Sequence, residues 1–82
     1  MNNNKIQPVT LTCLGFDKIS RYYKFHISGV LDGKTVSVHA DYTPNHFTNF
    51  EGQGAETAKR NRGVLAAFAP SFLEDYKRDN NI

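Results

Sequence analysis

His39-Ala40-Asp41, with His26 upstream and His46 downstream, gathers imidazoles and a carboxylate within a short span. Two imidazoles and one carboxylate are the ligand types of an open non-haem iron site. Enzymes built on that triad enclose metal and substrate in a double-stranded β-helix, which does not fit in 82 residues. The pattern therefore reads as cross-strand polar pairing on a solvated sheet face, with incidental zinc or nickel binding by His26 and His39 as the lesser use. Cys13, the single cysteine, falls among the apolar positions of its strand and reads as a small buried hydrophobe with no base beside it. Ser71 has no Gly-x-Ser-x-Gly surroundings; with Glu74 it forms a capping-box pattern instead. Glu74 and Asp75 are adjacent at that helix start, where they complement the helix dipole. No residue is assigned a catalytic role, and no metal or cofactor is expected.

The residues that read as binding groups are basic and aromatic. Gly52-Gln53-Gly54 is half of a phosphate-binding loop, without the third glycine or the Lys-Ser/Thr pair of a nucleotide site. After it come Lys59, Arg60 and Arg62, in the first half of an expected helix, where positive charge opposes the macrodipole. Glu56 is placed to pair with Arg60 at four-residue spacing, which leaves Lys59 and Arg62 for phosphate or an acidic protein surface. Tyr22, Phe47 and Phe50 are the aromatics that the expected core accommodates least, and aromatics with arginine are typical binding anchors.

These groups are positioned by a short list of elements. Val9 to Phe16 alternates with period two and reads as a strand, followed by a loop over 15–20 carrying Lys18, with Arg21 just after it. Asp32-Gly33 is a two-residue hairpin turn, and it fixes a register. That register sets Leu31 opposite Lys34, Ile27 opposite Val38, Phe25 opposite Ala40 and Tyr23 opposite Tyr42 on one face. Lys24 opposite Asp41 and His26 opposite His39 fall on the other, and a one-residue slip would mix the two. Thr43-Pro44-Asn45 ends the third strand, and 46–54 reads as irregular. A helix is expected over 55–68, since Ala58, Asn61, Val64, Leu65 and Phe68 share one arc, with a break at Ala69-Pro70 and a second short helix ending near Arg78.

The expected fold is α+β: a three-stranded antiparallel meander packed on one face by a C-terminal helix plus a short second helix. Its domain plan is a flexible N-terminus over 1–6, a single domain over 7–78 and a flexible C-terminus over 79–82. The other sheet face stays open and polar, and a free edge strand admits a homodimer.

Composition limits the alternatives. Hydrophobic residues make up 39% of the chain and aromatics 12%, enough for a compact core. The net charge of +2 leaves nucleic acid open without demanding it. One cysteine excludes an intramolecular disulfide, no apolar run reaches a membrane-spanning length, and the expected location is the cytoplasm with no membrane partner.

From Phe25 to Phe68, strands, a hairpin, Gly52-x-Gly54, Ala58-Lys59 and a basic helix start resemble the C-terminal half of a double-stranded-RNA-binding domain. The resemblance implies phosphate contacts from Lys59, Arg60 and Arg62, with Lys18 and Arg21 reaching a minor groove from the loop. It departs from that family in lacking the first helix, the consecutive lysines before the final helix, where Ala55-Glu56-Thr57 stands, and a Gly-Pro-His-type loop. In kind, without a diagnostic motif, the chain also resembles small accessory proteins of phages and mobile elements, including anti-CRISPR inhibitors. That resemblance implies a non-enzymatic inhibitor or modulator of a host protein or ribonucleoprotein complex, with Lys59, Arg60, Arg62, Tyr22 and Phe50 at the interface. The alternative is a nucleic-acid-binding module using Lys18, Arg21, Lys59, Arg60 and Arg62.

Overall fold

A computed structural model describes residues 9–81; residues 1–8 and 82, and with them the proposed flexible segment 1–6, lie outside the described residues. The elements run β1 (Val9–Asp17), β2 (Tyr22–Leu31), β3 (Lys34–Thr43), β4 (His46–Gln53), α1 (Ala55–Arg60) and α2 (Arg62–Asp79). The strands form one antiparallel sheet in the order β1-β2-β3-β4. The α+β class stands, but the sheet has four strands, not three.

The hairpin of β2 and β3 has the register that its turn dictates. Asp32 and Gly33 take φ values of 51° and 74°, the left-handed pair that a tight hairpin turn needs. Leu31 then faces Lys34, Ile27 faces Val38, Phe25 faces Ala40 and Tyr23 faces Tyr42. Phe25, Ile27, Val36, Val38 and Ala40 are buried by the helices together with Val9 and Leu11 from β1. Phe25 makes edge contacts with the rings of Tyr42 and Phe47, at centroid distances of 5.5 and 5.4 Å. Such pairs add about 0.5–1.5 kcal/mol each to the area they bury.

The strand that the sequence hides is β4. Its apolar residues Phe47 and Phe50 are three apart, which breaks period two, because Asn49 forms a bulge at φ 56°. Thr48 pairs with Asp41 and Glu51 with His39, so Asn49 and Phe50 together lie opposite Ala40. The extra residue lets both phenylalanines face the core, with their ring centroids 6.3 Å apart. At the strand's end, a Cβ on Gly52 would stand 2.6 Å from the Ser37 carbonyl oxygen, and one on Gly54 2.6 Å from Val36 Cγ1. These glycines allow β4 to lie close on β3 and the chain to turn sharply into α1.

The helices divide elsewhere than expected. The expected break at Ala69-Pro70 is absent: α2 continues through Pro70, and the chain breaks instead at Asn61, between α1 and α2. Proline in a helix interior forfeits one backbone bond and costs about 3 kcal/mol. Here Pro70 is exposed, while Leu65, Ala69, Phe72 and Tyr76 continue one apolar stripe across it. Packing of that stripe holds the helix together where propensity alone would end it. Ser71 accordingly starts no helix; its hydroxyl donates to the Phe68 carbonyl at 3.2 Å. Val64, expected on the buried arc, is 52% exposed, since the break at Asn61 resets the helical phase. α2 includes Asp79, and the Asn80 backbone and side chain both donate to the Tyr76 carbonyl.

Candidate functional site

The break at Asn61 changes the electrostatics of the basic segment. Lys59 and Arg60 stand in the last turn of α1, where positive charge complements the helix dipole, and Glu56 stands in its first turn. Their charge order is thus favourable locally, contrary to the expectation of one long helix. Only Arg62 opens a helix, and the first turn of α2 holds no acidic residue. The expected Glu56–Arg60 pair gives way to Glu56 and Lys59 at 3.8 Å. Among the described residues, Arg60 and Arg62 make no salt bridge.

Lys59 and Arg62 overhang the bulged edge strand. With Phe47, Thr48, Asn49 and Phe50 they line a cleft of about 300 Å³. A second depression, bounded by Glu56, Lys59, Arg60, Arg62 and Gly63, adjoins it through the shared cations. The fold therefore unites Phe50, Lys59 and Arg62 from β4, α1 and α2, with Arg60 on the same rim. A half-buried aromatic side chain lining one cleft with guanidinium and ammonium groups suits an acidic protein surface, and it suits phosphate as well. Among these residues Phe47 is fully buried and serves the core, whereas Phe50 is half-buried and shared between core and cleft.

Lys18, Arg21 and Tyr22 belong to a different place, the β1–β2 turn. Asp17 organises that turn: its carboxylate accepts the Ile19 amide at 3.0 Å and the Ser20 hydroxyl at 3.1 Å, and its carbonyl accepts the Arg21 amide at 2.7 Å. The amide bond to Ile19 and the Ser20 hydroxyl hold the Asp17 carboxyl below its ordinary value. Arg21 adopts φ 67°, a left-handed conformation that is uncommon outside glycine. The result is a turn that presents Ile19 at 94% exposure between Lys18 and Arg21. Reading the segment as a generic loop missed Ile19. The signal was an apolar residue enclosed by Asp17, Ser20 and Arg21, all of them turn-forming or charged.

The open sheet face carries the histidines. His26 and His39 face each other across the strands with ring centroids 4.9 Å apart, and His26 Nε2 lies 3.1 Å from Ser37 Oγ. Asp41 is committed elsewhere, accepting from Lys24 Nζ at 2.7 Å and from Asn49 Nδ2 at 2.9 Å. The bond to Asp41 raises the Lys24 ammonium pKa above its ordinary value. His46 pairs with Thr43 at the far end of β4. His39 and Asp41 line one cavity on this face with Lys24 and Asn49, and among the described residues no group of three or more His, Cys, Asp or Glu is placed to hold a metal. Cys13 is partly buried against the core, and desolvation pushes its thiol pKa up. Among the described residues, no helix is long and apolar enough to cross a membrane. No family model matches the chain, and no match was found among curated proteins or solved structures.

Proposed function

We propose that the protein is a small non-enzymatic binding protein that inhibits or modulates a macromolecular complex of a host cell through protein contacts, in the manner of phage accessory proteins. The observation that carries this reading is the convergence of Phe50, Lys59 and Arg62 on one cleft, with Arg60 on its rim. Arginine and aromatic side chains dominate the energetics of many interfaces, and here regular elements fix the backbone that carries them. The partner's complementary feature is a carboxylate-rich patch that includes an apolar side chain able to reach Phe50. Tyr22, with Lys18 and Arg21, supplies a separate contact on the β1–β2 turn.

Nucleic-acid binding is the second reading, and the unpaired guanidinium groups of Arg60 and Arg62 favour it. Phosphate contacts would make affinity fall steeply with salt. Capture of partners from cell lysate, with and without nuclease, separates the two readings. A nuclease-resistant protein, lost in the Lys59→Glu, Arg60→Glu, Arg62→Glu variant, supports the first. Recovery that disappears with nuclease replaces it with the second.

A further inference from the structure

The face of the sheet turned away from the helices is crossed by one row of polar side chains. Thr12 of β1 lies opposite His26 of β2, His26 opposite His39 of β3, and His39 opposite Glu51 of β4. The hairpin turn makes the central pair a close one. Its closing pair, Leu31 with Lys34, is hydrogen-bonded, and bonded and non-bonded pairs alternate along an antiparallel ladder. His26 and His39 stand an odd number of steps away, so they form a non-bonded pair, the kind whose side chains approach most closely. Their ring centroids are 4.9 Å apart, with the ring planes at 41°. Two imidazoles on one tetrahedral zinc ion, each bound at about 2.0–2.1 Å, have centroids about 5 Å apart, so the strands already hold the rings at a chelating separation.

The groups around the pair are compatible with a cation. Lys24, two residues from His26 on the same face, has its ammonium bonded to Asp41 at 2.7 Å, which offsets its charge. Glu51 brings a negative charge to the row, and with His39 it lines a cavity of about 330 Å³. His26 Nε2 lies 3.1 Å from Ser37 Oγ. With Nε2–H donating to that hydroxyl, Nδ1 keeps the lone pair that a metal needs, and metal-bound imidazoles give their second N–H to an acceptor in this way.

We infer that His26 and His39 form a two-histidine site for one divalent transition-metal ion of the zinc and nickel class, with water in the remaining positions. Imidazole nitrogen suits these ions, whereas magnesium takes oxygen ligands. With no third protein ligand among the described residues, the site is open and exchangeable, unlike the closed four-ligand sites that hold a fold together. It shares no lining residue with the basic cleft, so the inference does not depend on the reading of that cleft.

Titration of the untagged full chain with zinc chloride tests it, followed by calorimetry and by the imidazole resonances of the histidines. The expected result is one ion per chain, with the His26 and His39 resonances moving together and those of His46, opposite Thr43 at the far end of β4, unmoved. His26→Ala and His39→Ala, both folded by circular dichroism, each weaken zinc binding by about tenfold or more, because each leaves a single ligand. His46→Ala leaves it unaltered, and magnesium chloride moves neither resonance. A chain that binds no zinc overturns the inference. So does binding that survives either His26→Ala or His39→Ala undiminished, or that is lost with His46→Ala.

Discussion

The side chain of Asn61 donates a hydrogen bond to the Asp32 carboxylate at 3.0 Å, joining the hairpin tip to the junction of the two helices. The same Asn61 amide group also donates to the Thr57 carbonyl at 2.9 Å, so one residue ends α1 and fixes it to the sheet. The placement of Arg60 and Arg62 on either side of Asn61 follows from that attachment. Asn61→Ala is expected to cost about 1 kcal/mol, a fall of roughly 4–8 °C in Tm for a domain this small. A double-mutant cycle with Asp32→Gly, which keeps the left-handed turn, should return as coupling the share of that loss carried by the Asp32 bond, the Thr57 share falling outside it. Additive effects would show that the bond contributes nothing.

The glycines separate into costly and dispensable positions. Gly52→Ala and Gly54→Ala each place a Cβ 2.6 Å from an existing atom at positive φ, and each should destabilise by about 2–3 kcal/mol. Gly63→Ala meets no atom within 4 Å in the first turn of α2 and should stabilise by about 0.5–1 kcal/mol. Urea unfolding of the variants gives the signs directly.

The β1–β2 turn should loosen in acid. Because the Asp17 carboxyl is held below its ordinary value of 3.8 in the folded chain, the order it confers is complete above that value. It is lost as pH falls through the lower folded value. Amide chemical shifts of Ile19 and Arg21 should titrate together in that acidic window. Shifts that move only when the whole domain unfolds would show that the turn is held by other means.

Cys13 should react slowly with alkylating reagents at neutral pH, since desolvation raises its thiol pKa above the ordinary value of 9.0 and leaves little thiolate. Its rate should rise on unfolding in denaturant. A rate equal to that of a free thiol in the native protein would contradict the burial described for β1.

Much of the sheet was legible because its signals were local. Asp32-Gly33 specified a turn, and the turn specified every pair of the β2–β3 ladder, including Lys24 with Asp41 and His26 with His39. β4 was not legible, because the bulge at Asn49 shifts Phe50 out of period with Phe47 and mimics an irregular segment. Pro70 misled for a complementary reason: local propensity predicts a break, whereas a stripe running from Leu65 to Tyr76 outweighs it through contacts distant in sequence. The break at Asn61 was equally unmarked in the sequence, and a helix assumed to run unbroken from Ala55 made Lys59 and Arg60 look unfavourably placed. Their real position near the C-terminus of α1 accounts for them locally and leaves Arg62 as the cation that opens a helix without a carboxylate in its first turn. Of the candidate binding residues, Phe50, Lys59, Arg60 and Arg62 share one edge, while Lys18, Arg21 and Tyr22 share the β1–β2 turn.

The claim that the cleft is the binding surface is tested most directly by charge-matched capture from nuclease-treated lysate. Arg62→Glu combined with Phe50→Ala changes the cleft, and Lys34→Glu applies the same charge reversal on β3, outside the cleft-lining set. The account predicts a nuclease-resistant partner retained by wild type and Lys34→Glu and lost by the cleft variant, with all three chains equally folded by circular dichroism. Retention by the cleft variant, or equal loss from both variants, would contradict it.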